Sequence, residues 1–144
     1  MTVDPALIGD RFRRLDTYLS TLRRLAQIPR EELIEDLVPL GSAERYLEVS
    51  IEVCLDIAHH IIAAEKLRHP QDYADAFSVL VEADFIPASF LPTAQRMARF
   101  RNRLVHLYWD MDAEAIYQIL QTRLDDFDRF KGYILSALVE RGVL

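Results

Sequence analysis

The sequence predicts an all-α protein, and three observations lead to that expectation. Apolar residues recur mostly at helical spacing, no segment shows the alternation of a strand, and only four glycines and six prolines interrupt the chain. Short connections between long helices favour antiparallel neighbours. We therefore expect an antiparallel up-and-down bundle of four to five main helices, formed by residues 1–144 as one domain.

The first predicted helix begins near Asp4 and Pro5, where a capping side chain precedes a proline at the first helical position. Pro29 ends it, and a short helix over 31–37 follows. The chain is then expected to turn at residues 39–42, which read Pro-Leu-Gly-Ser. The first helix has one buried face, which consists of Ile8, Phe12, Leu15, Leu19 and Leu22.

The next long helix is predicted over 43–68 and is expected to be central, because its middle is apolar on more than one face. Pro70 ends this helix. A helix over 71–84 follows, and its inward-facing residues are predicted to be Tyr73, Phe77, Leu80 and Val81.

The last third of the chain is predicted to contain two helices. Pro87 and Pro92 bracket a loop, and a helix over 92–109 follows it. Asp112 is expected to cap a final helix that stops at Gly142. That helix is predicted to bury Ile116, Leu120, Phe127, Phe130, Ile134 and Leu138.

Composition excludes several classes of protein. Hydrophobic residues make up 51% of the chain, which argues against disorder, and the single cysteine, Cys54, excludes an internal disulfide and a multi-cysteine zinc site. No apolar run approaches about 18 residues, and the N-terminus has no secretory signature, so we expect a cytoplasmic protein without a membrane span. The net charge of −6 argues against a protein that coats nucleic acid but permits a local site.

Residues 96–110 invert this acidic balance. Four arginines fall within eight residues, and no acidic residue occurs between Thr93 and Trp109. On a helix with about 100° per residue, Met97, Phe100 and Leu104 form a core stripe. An exposed basic edge that could bind RNA is predicted for Arg96, Arg99 and Arg103.

The remaining side of this helix mixes polar and apolar residues, namely Arg101, Asn102, His106, Ala98, Val105 and Trp109. Because a helix that is apolar on two sides is buried on two sides, we expect a partner surface there. If the partner is a second copy, two-fold symmetry would unite two Arg-Asn-His sets. Such a cleft suits phosphodiester chemistry, since arginine holds phosphate oxygens and histidine moves protons near neutral pH. Spacing alone is also typical of an ordinary surface or interface helix.

The string RNRLVHLYWDMD resembles the R-x4-H-x-Y signature of HepT-like proteins, in the HEPN superfamily of small helical ribonucleases. Arg101, His106 and Tyr108 occupy the three defining positions, and the usual Asn102 follows the arginine. The segment 53–65 looks like the D-I-A-x-H-x-I-x-x-E helix of that family. The resemblance covers most of the chain from about residue 45 onward.

This resemblance implies a metal-independent endoribonuclease without a cofactor, acting as the toxin of a toxin–antitoxin pair. The substrate's 2′-hydroxyl would attack the adjacent phosphate, with His106 as general acid and base, Arg101 on the phosphate and Asn102 orienting either group. In this family the site forms at a homodimer cleft. The antitoxin is an MNT-type nucleotidyltransferase that can attach AMP units to the motif tyrosine, here Tyr108, which would block the site.

Two other functions stay open at this point. A non-catalytic HEPN partner of a nucleotidyltransferase would use the same arginine, asparagine and histidine to bind a nucleotide or phosphate. A metal-dependent hydrolase is disfavoured because no compact ligand set appears: Asp56, His59, His60 and Glu65 are interpreted as helix-packing or dimer-interface groups. Cys54 lies in an apolar run and is interpreted as a packing residue.

Overall fold

The computed structural model describes residues 2–106 and 112–144, and these residues contain helices and no strand. The predicted all-α bundle is confirmed. Four of the α-helices have 16 residues or more, and three shorter ones raise the number above the predicted four to five. The α-helices are α1 (Pro5–Leu25), α2 (Arg30–Glu35), α3 (Leu37–Ala64), α4 (Tyr73–Glu82), α5 (Leu91–His106), α6 (Ala113–Thr122) and α7 (Asp125–Glu140).

Helix α3 is the centre of the bundle, as its apolar composition predicts. Each of the other six helices packs against it. Because neighbours surround it, its buried residues lie on several faces rather than on one stripe. Cys54 is fully buried in this helix, and burial raises the pKa of its thiol, which confirms a packing residue.

The beginning of α3 differs from the prediction. A turn was expected at residues 39–42, but the helix already starts at Leu37 and runs through them. The carboxylate of Asp36 accepts a hydrogen bond from the backbone N–H of Val38 at 2.9 Å and caps the new start. Pro39 then lies in the first helical turn, where its missing N–H costs no internal hydrogen bond.

The predicted final helix is two helices, because residues 123–124 are not helical. The hydroxyl of Thr122, the last residue of α6, donates to the carbonyl oxygen of Gln118 at 2.7 Å. Three aspartates in the first turn of α7 then favour a new helix start. All six residues predicted to be buried in this region are buried on both sides of the break.

The remaining helix ends lie within four residues of the prediction, and the largest differences are at the ends of α1 and α3, which stop at Leu25 and Ala64. The carboxylate of Asp4 caps α1 by accepting from the N–H of Ala6 at 2.9 Å. Gly142 adopts a φ of 74° just after α7, as a helix stop requires. The predicted loop near Pro92 contains a 3-10 helix, Ala88–Phe90, and α5 follows directly. The predicted end of that helix at residue 109 lies outside the described residues.

Tyr73 was predicted to face inward, and this prediction is wrong. Its neighbours Phe77 and Leu80 are fully buried, but Tyr73 is 42% exposed. It is the first residue of α4, and its ring contacts the polar side chains of Arg101 and His59.

Among the helices described, none is both long and apolar enough to cross a membrane.

One arginine in the connection between α3 and α4 forms ion pairs with two carboxylates of α4. The guanidinium of Arg68 donates to both carboxylate oxygens of Asp75, at 2.8 and 2.9 Å, and to Glu82 at 2.7 Å. Bonds from Arg68 hold the pKa of both carboxyls below their usual range. Charged carboxylates are therefore favoured in the folded protein.

We expect the free energy of unfolding of Arg68→Met to fall less steeply than that of the wild type as the pH is lowered. The lowered pKa values of Asp75 and Glu82 add stability at pH values above about 4, and that stability is lost as the pH falls and the carboxylates are protonated. Urea unfolding between neutral and acidic pH measures the effect. The control is Arg24→Met, an arginine of α1 without a carboxylate partner among the described residues. An equal slope in wild type and Arg68→Met would contradict the assignment.

Candidate functional site

The motif helix α5 is packed on two sides by its own chain. Its core stripe faces α3, and a second side, which carries the buried Ala94 and Ala98, packs against α4. The amide of Gln95 donates to the hydroxyl of Ser78 on α4 at 3.0 Å. The prediction that a partner covers the side holding Ala98 is therefore wrong at this residue, because α4 covers it.

Arg101 points from this packed side towards α3 and the start of α4. Its guanidinium forms an ion pair with Glu52 at 3.2 Å and lies 5.1 Å from the centre of the Tyr73 ring. The side chain is 17% exposed, and its Nε is buried with no hydrogen-bond partner among the described residues. Asn102 and Glu52 each accept from one terminal nitrogen of the guanidinium, so further N–H groups on these two nitrogens remain for another acceptor.

An open pocket of about 300 Å³ surrounds this guanidinium and is called the Arg101 pocket below. Its wall includes His59, whose ring makes an edge contact with Tyr73 at 5.8 Å between ring centres. Two carboxylates share the pocket, so its charge is mixed rather than purely basic. The lining residues are Glu52, Leu55, Asp56, His59, Tyr73 and Arg101.

The other two predicted catalytic residues lie beside this pocket on α5. The side-chain oxygen of Asn102 accepts a hydrogen bond from Arg101 at 3.4 Å. His106 is the exposed last residue of α5. In the part of the chain that the structure describes, the side chain of His106 forms no hydrogen bond with Asn102 or with any other group. The structure therefore brings Arg101 and Asn102 together, and leaves His106 facing outward.

The three arginines of the predicted basic edge lie on another side of α5. Arg96, Arg99 and Arg103 are exposed, as the helical spacing predicts. They line a second and larger cavity, of about 370 Å³, between α5 and α6. Their role in binding RNA stays a prediction.

Tyr108, the predicted modification position, lies outside the described residues.

Sequence reasoning missed that Glu52, His59 and Tyr73 surround Arg101. A signal was present for two of them, because Glu52, Asp56 and His59 follow the i, i+4, i+7 spacing of one helix face. Tyr73 offered no such signal, since its contact with Arg101 depends on how α4 folds back on α5.

The neighbouring His60 takes a different contact. Its Nε2 accepts a hydrogen bond from the backbone N–H of Asp4 at 2.9 Å, which attaches the start of α1 to α3. Asp56 lies 3.8 Å from Arg11 of the same helix α1. Within the described ranges, no group of three or more His, Cys, Asp and Glu side chains is arranged to hold a metal ion.

Known proteins resemble this chain over most of its length. It is 26% identical to the mRNA nuclease HepT of Shewanella oneidensis over 119 residues, which are 81% of this chain and 90% of the relative. It is 24% identical to the tRNA nuclease HepT of Aphanizomenon flos-aquae over 139 residues, which are 95% of this chain and 93% of the relative.

A solved structure shares the fold. The tri-AMPylated HEPN toxin of Shewanella oneidensis in complex with MNT antitoxin superposes with a TM-score of 0.83 at 23% identity, covering 90% of this chain and 97% of the toxin.

The family assignment rests on a match that spans the motif helix and the helices packed around it. Residues 15–134 match the family described as ribonuclease HepT-like. The match confirms the resemblance carried by Arg101, His106 and Tyr108 in the sequence. The chain belongs to the HepT-like ribonuclease family.

Proposed function

We propose that this protein is a metal-independent endoribonuclease and the toxin of a toxin–antitoxin pair, active in the cytoplasm. The observation that carries the proposal is Arg101, whose largely buried guanidinium is held by Glu52 and Tyr73 at the wall of an open pocket. An arginine fork of this kind suits the non-bridging oxygens of a phosphodiester. The names of the two nuclease relatives support RNA as the substrate class.

The proposed reaction uses groups of the RNA itself. The 2′-oxygen forms a bond to the adjacent phosphorus, the bond from phosphorus to the 5′-oxygen breaks, and a 2′,3′-cyclic phosphate and a 5′-hydroxyl result. His106 takes the proton from the 2′-hydroxyl or gives one to the leaving 5′-oxygen. Arg101 stabilises the charge that builds on the phosphate, and Asn102 holds the guanidinium or the phosphate in place.

The arrangement of α5 favours a composite site between two copies. Arg101 and His106 are separated by about 140° around the helix axis. One surface of a single chain therefore does not present both groups to the same side of a phosphate. A second copy placed over this face supplies the missing wall and a second histidine, which serves the second proton transfer.

The antitoxin in this proposal is an MNT-type nucleotidyltransferase that acts on Tyr108. The Shewanella oneidensis structure, an AMPylated toxin in complex with MNT antitoxin, supports such a partner. Tyr108 follows His106 by two residues in the sequence. A phosphate and a base attached there would add negative charge and bulk beside the groups that receive the RNA phosphate.

We expect His106→Ala and Arg101→Lys to lower the RNA cleavage rate by at least about 100-fold, since they remove proton transfer and the bidentate phosphate fork respectively. Cleavage of total RNA by the purified protein, with and without EDTA, is the measurement. The matched control is His69→Ala, an exposed histidine between α3 and α4, which should cleave like wild type.

The other outcomes of this experiment are equally informative. Full cleavage by His106→Ala would refute its catalytic role, and cleavage that EDTA abolishes would refute metal independence. A wild-type protein that binds RNA through Arg101 without cutting it would instead establish the non-catalytic phosphate-binding function.

We expect co-expression with the nucleotidyltransferase to add the mass of one or more AMP units to the wild-type chain and none to Tyr108→Phe. Intact-mass spectrometry measures this, and loss of cleavage should accompany the added mass because the modification blocks the site. Tyr117→Phe, on α6, is the control and should be modified normally. Modification of Tyr108→Phe would show that another residue accepts the AMP.

The position of Arg101 in this proposal depends on its ion pair with Glu52. Glu52→Ala should lower the free energy of unfolding by about 1–3 kcal/mol, because it leaves a largely buried guanidinium without its acceptor. A double-mutant cycle with Arg101→Ala, measured by urea unfolding, should give a coupling of at least about 0.5 kcal/mol. The control is Glu48→Ala, one turn earlier on α3, which pairs with the exposed Arg45 and should cost less. Additive effects of the two substitutions would refute the stabilising pair.

A further inference from the structure

The second cavity, of about 370 Å³, has an apolar floor and lies apart from the Arg101 pocket. Residues of α3, α5 and α6 and the start of α7 form it. Its volume is in the range of small-ligand sites, which are mostly apolar with a few polar groups that fix orientation. The floor consists of Leu47, Ile51, Met97, Phe100, Ile119 and Phe127.

Four arginines stand around this floor, which we call the arginine-rimmed cavity. Arg96, Arg99 and Arg103 come from α5, and Arg123 follows α6. Among the described residues, no carboxylate lies within ion-pair distance of any of the four, whereas most of the other arginines are ion paired. The one acidic residue of the lining, Asp126, is paired with Arg129 at 3.4 Å. In a chain of net charge −6, this is a concentrated positive site.

The combination of floor and rim fits the chemistry of a nucleotide. A nucleobase is a flat apolar surface that packs on an aromatic ring such as Phe100, and base–aromatic contacts are tolerant of base identity. Arginine forks bind the phosphate. A protein helix would offer separate carboxylates, whereas a nucleotide offers the concentrated charge of a phosphate to four arginines that have no carboxylate partner among the described residues. The charge of the rim therefore favours a nucleotide over a helix.

The arginines of the cavity lie next to the motif histidine on the exposed surface of α5. His106 is about 140° from Arg101 but only about 20° from Arg99 around the helix axis, and about 10 Å from Arg99 along it. His106 thus lies between the Arg101 pocket and the cavity. A single strand whose cleaved phosphate lies between His106 of this chain and Arg101 of the second copy can continue over α5 towards the floor.

We propose that the arginine-rimmed cavity binds a nucleotide of the RNA next to the cleavage position, with the base on the apolar floor and its phosphate at Arg99, Arg103 and Arg123. The inference rests on the proposed ribonuclease function and adds a subsite to it. The cavity selects unpaired RNA, because a base that is paired in a duplex does not reach the floor.

The test measures the Kd of a labelled single-stranded RNA by fluorescence anisotropy, in the His106→Ala protein so that the RNA stays intact. Arg123→Glu and Ile119→Trp should each raise this Kd by about tenfold or more, through loss of a phosphate contact and through filling of the floor. Arg123 is half-buried and lies outside the motif helix, so its replacement leaves α5 intact. The charge control is Arg24→Glu on α1, for which we expect a change below about twofold.

Two further arms separate base from phosphate and RNA from free nucleotide. An RNA without bases should bind more weakly than the normal strand and should be insensitive to Ile119→Trp. AMP should compete with the RNA, and ribose 5-phosphate should compete less well.

The outcomes distinguish this proposal from the proposed function. If the wild type cleaves RNA but Arg123→Glu leaves Kd unchanged, the cavity assignment is wrong while the ribonuclease function stands. If the wild type cleaves no RNA, the proposed ribonuclease function is wrong, and the anisotropy measurement still shows whether the cavity binds RNA. AMP binding that does not compete with RNA would overturn the RNA assignment. Variants that keep RNA binding and lose the nucleotidyltransferase would identify a protein-docking surface and overturn the proposal.

Discussion

The structure around the motif depends on keeping one arginine charged while it is mostly withdrawn from water. A guanidinium cannot be deprotonated in a protein, so Arg101 requires a partner because its side chain is largely buried. Glu52 of α3 supplies the opposite charge and Tyr73 of α4 supplies an aromatic face. The three helices therefore meet at this side chain. The same residues form the pocket, because Glu52 and Tyr73 contact Arg101 and line the pocket together with it.

Helix α5 divides its circumference between structural and chemical tasks. Two sides pack on α3 and α4 within the chain, and the remaining arc carries His106 and the arginines Arg96, Arg99 and Arg103. The acidic total of the chain conceals this arrangement, because the positive charge is concentrated on one arc. Net charge describes the field far from the protein, whereas a phosphate at the surface meets the local groups.

Most of the fold was predictable because helical periodicity is a local property of the sequence. Two errors lie at element boundaries: the cap by Asp36 begins α3 before a proline, and the three aspartates after Leu124 favour a new helix start where one long helix was predicted. The site was predictable only in part. Arg101 was identified by its motif, but its contact with Glu52 spans 49 residues of sequence, and no local pattern encodes such a pairing. The prediction that a partner covers Ala98 failed for the same reason, since a single sequence does not say which helix lies over an apolar face.

The small residues between α4 and α5 have a consequence for how the motif is aimed. Ala94 and Ala98 are buried in α5, and the bond between Gln95 and Ser78 joins α5 to α4, so α4 contributes to holding the rotation of α5 about its own axis. A rotation of α5 would swing every motif side chain by the same angle. The direction in which the motif side chains point therefore depends partly on α4, a helix that contains no residue of the motif. Sequence changes in α4 can therefore alter the orientation of the catalytic motif in a family member whose motif residues are unchanged.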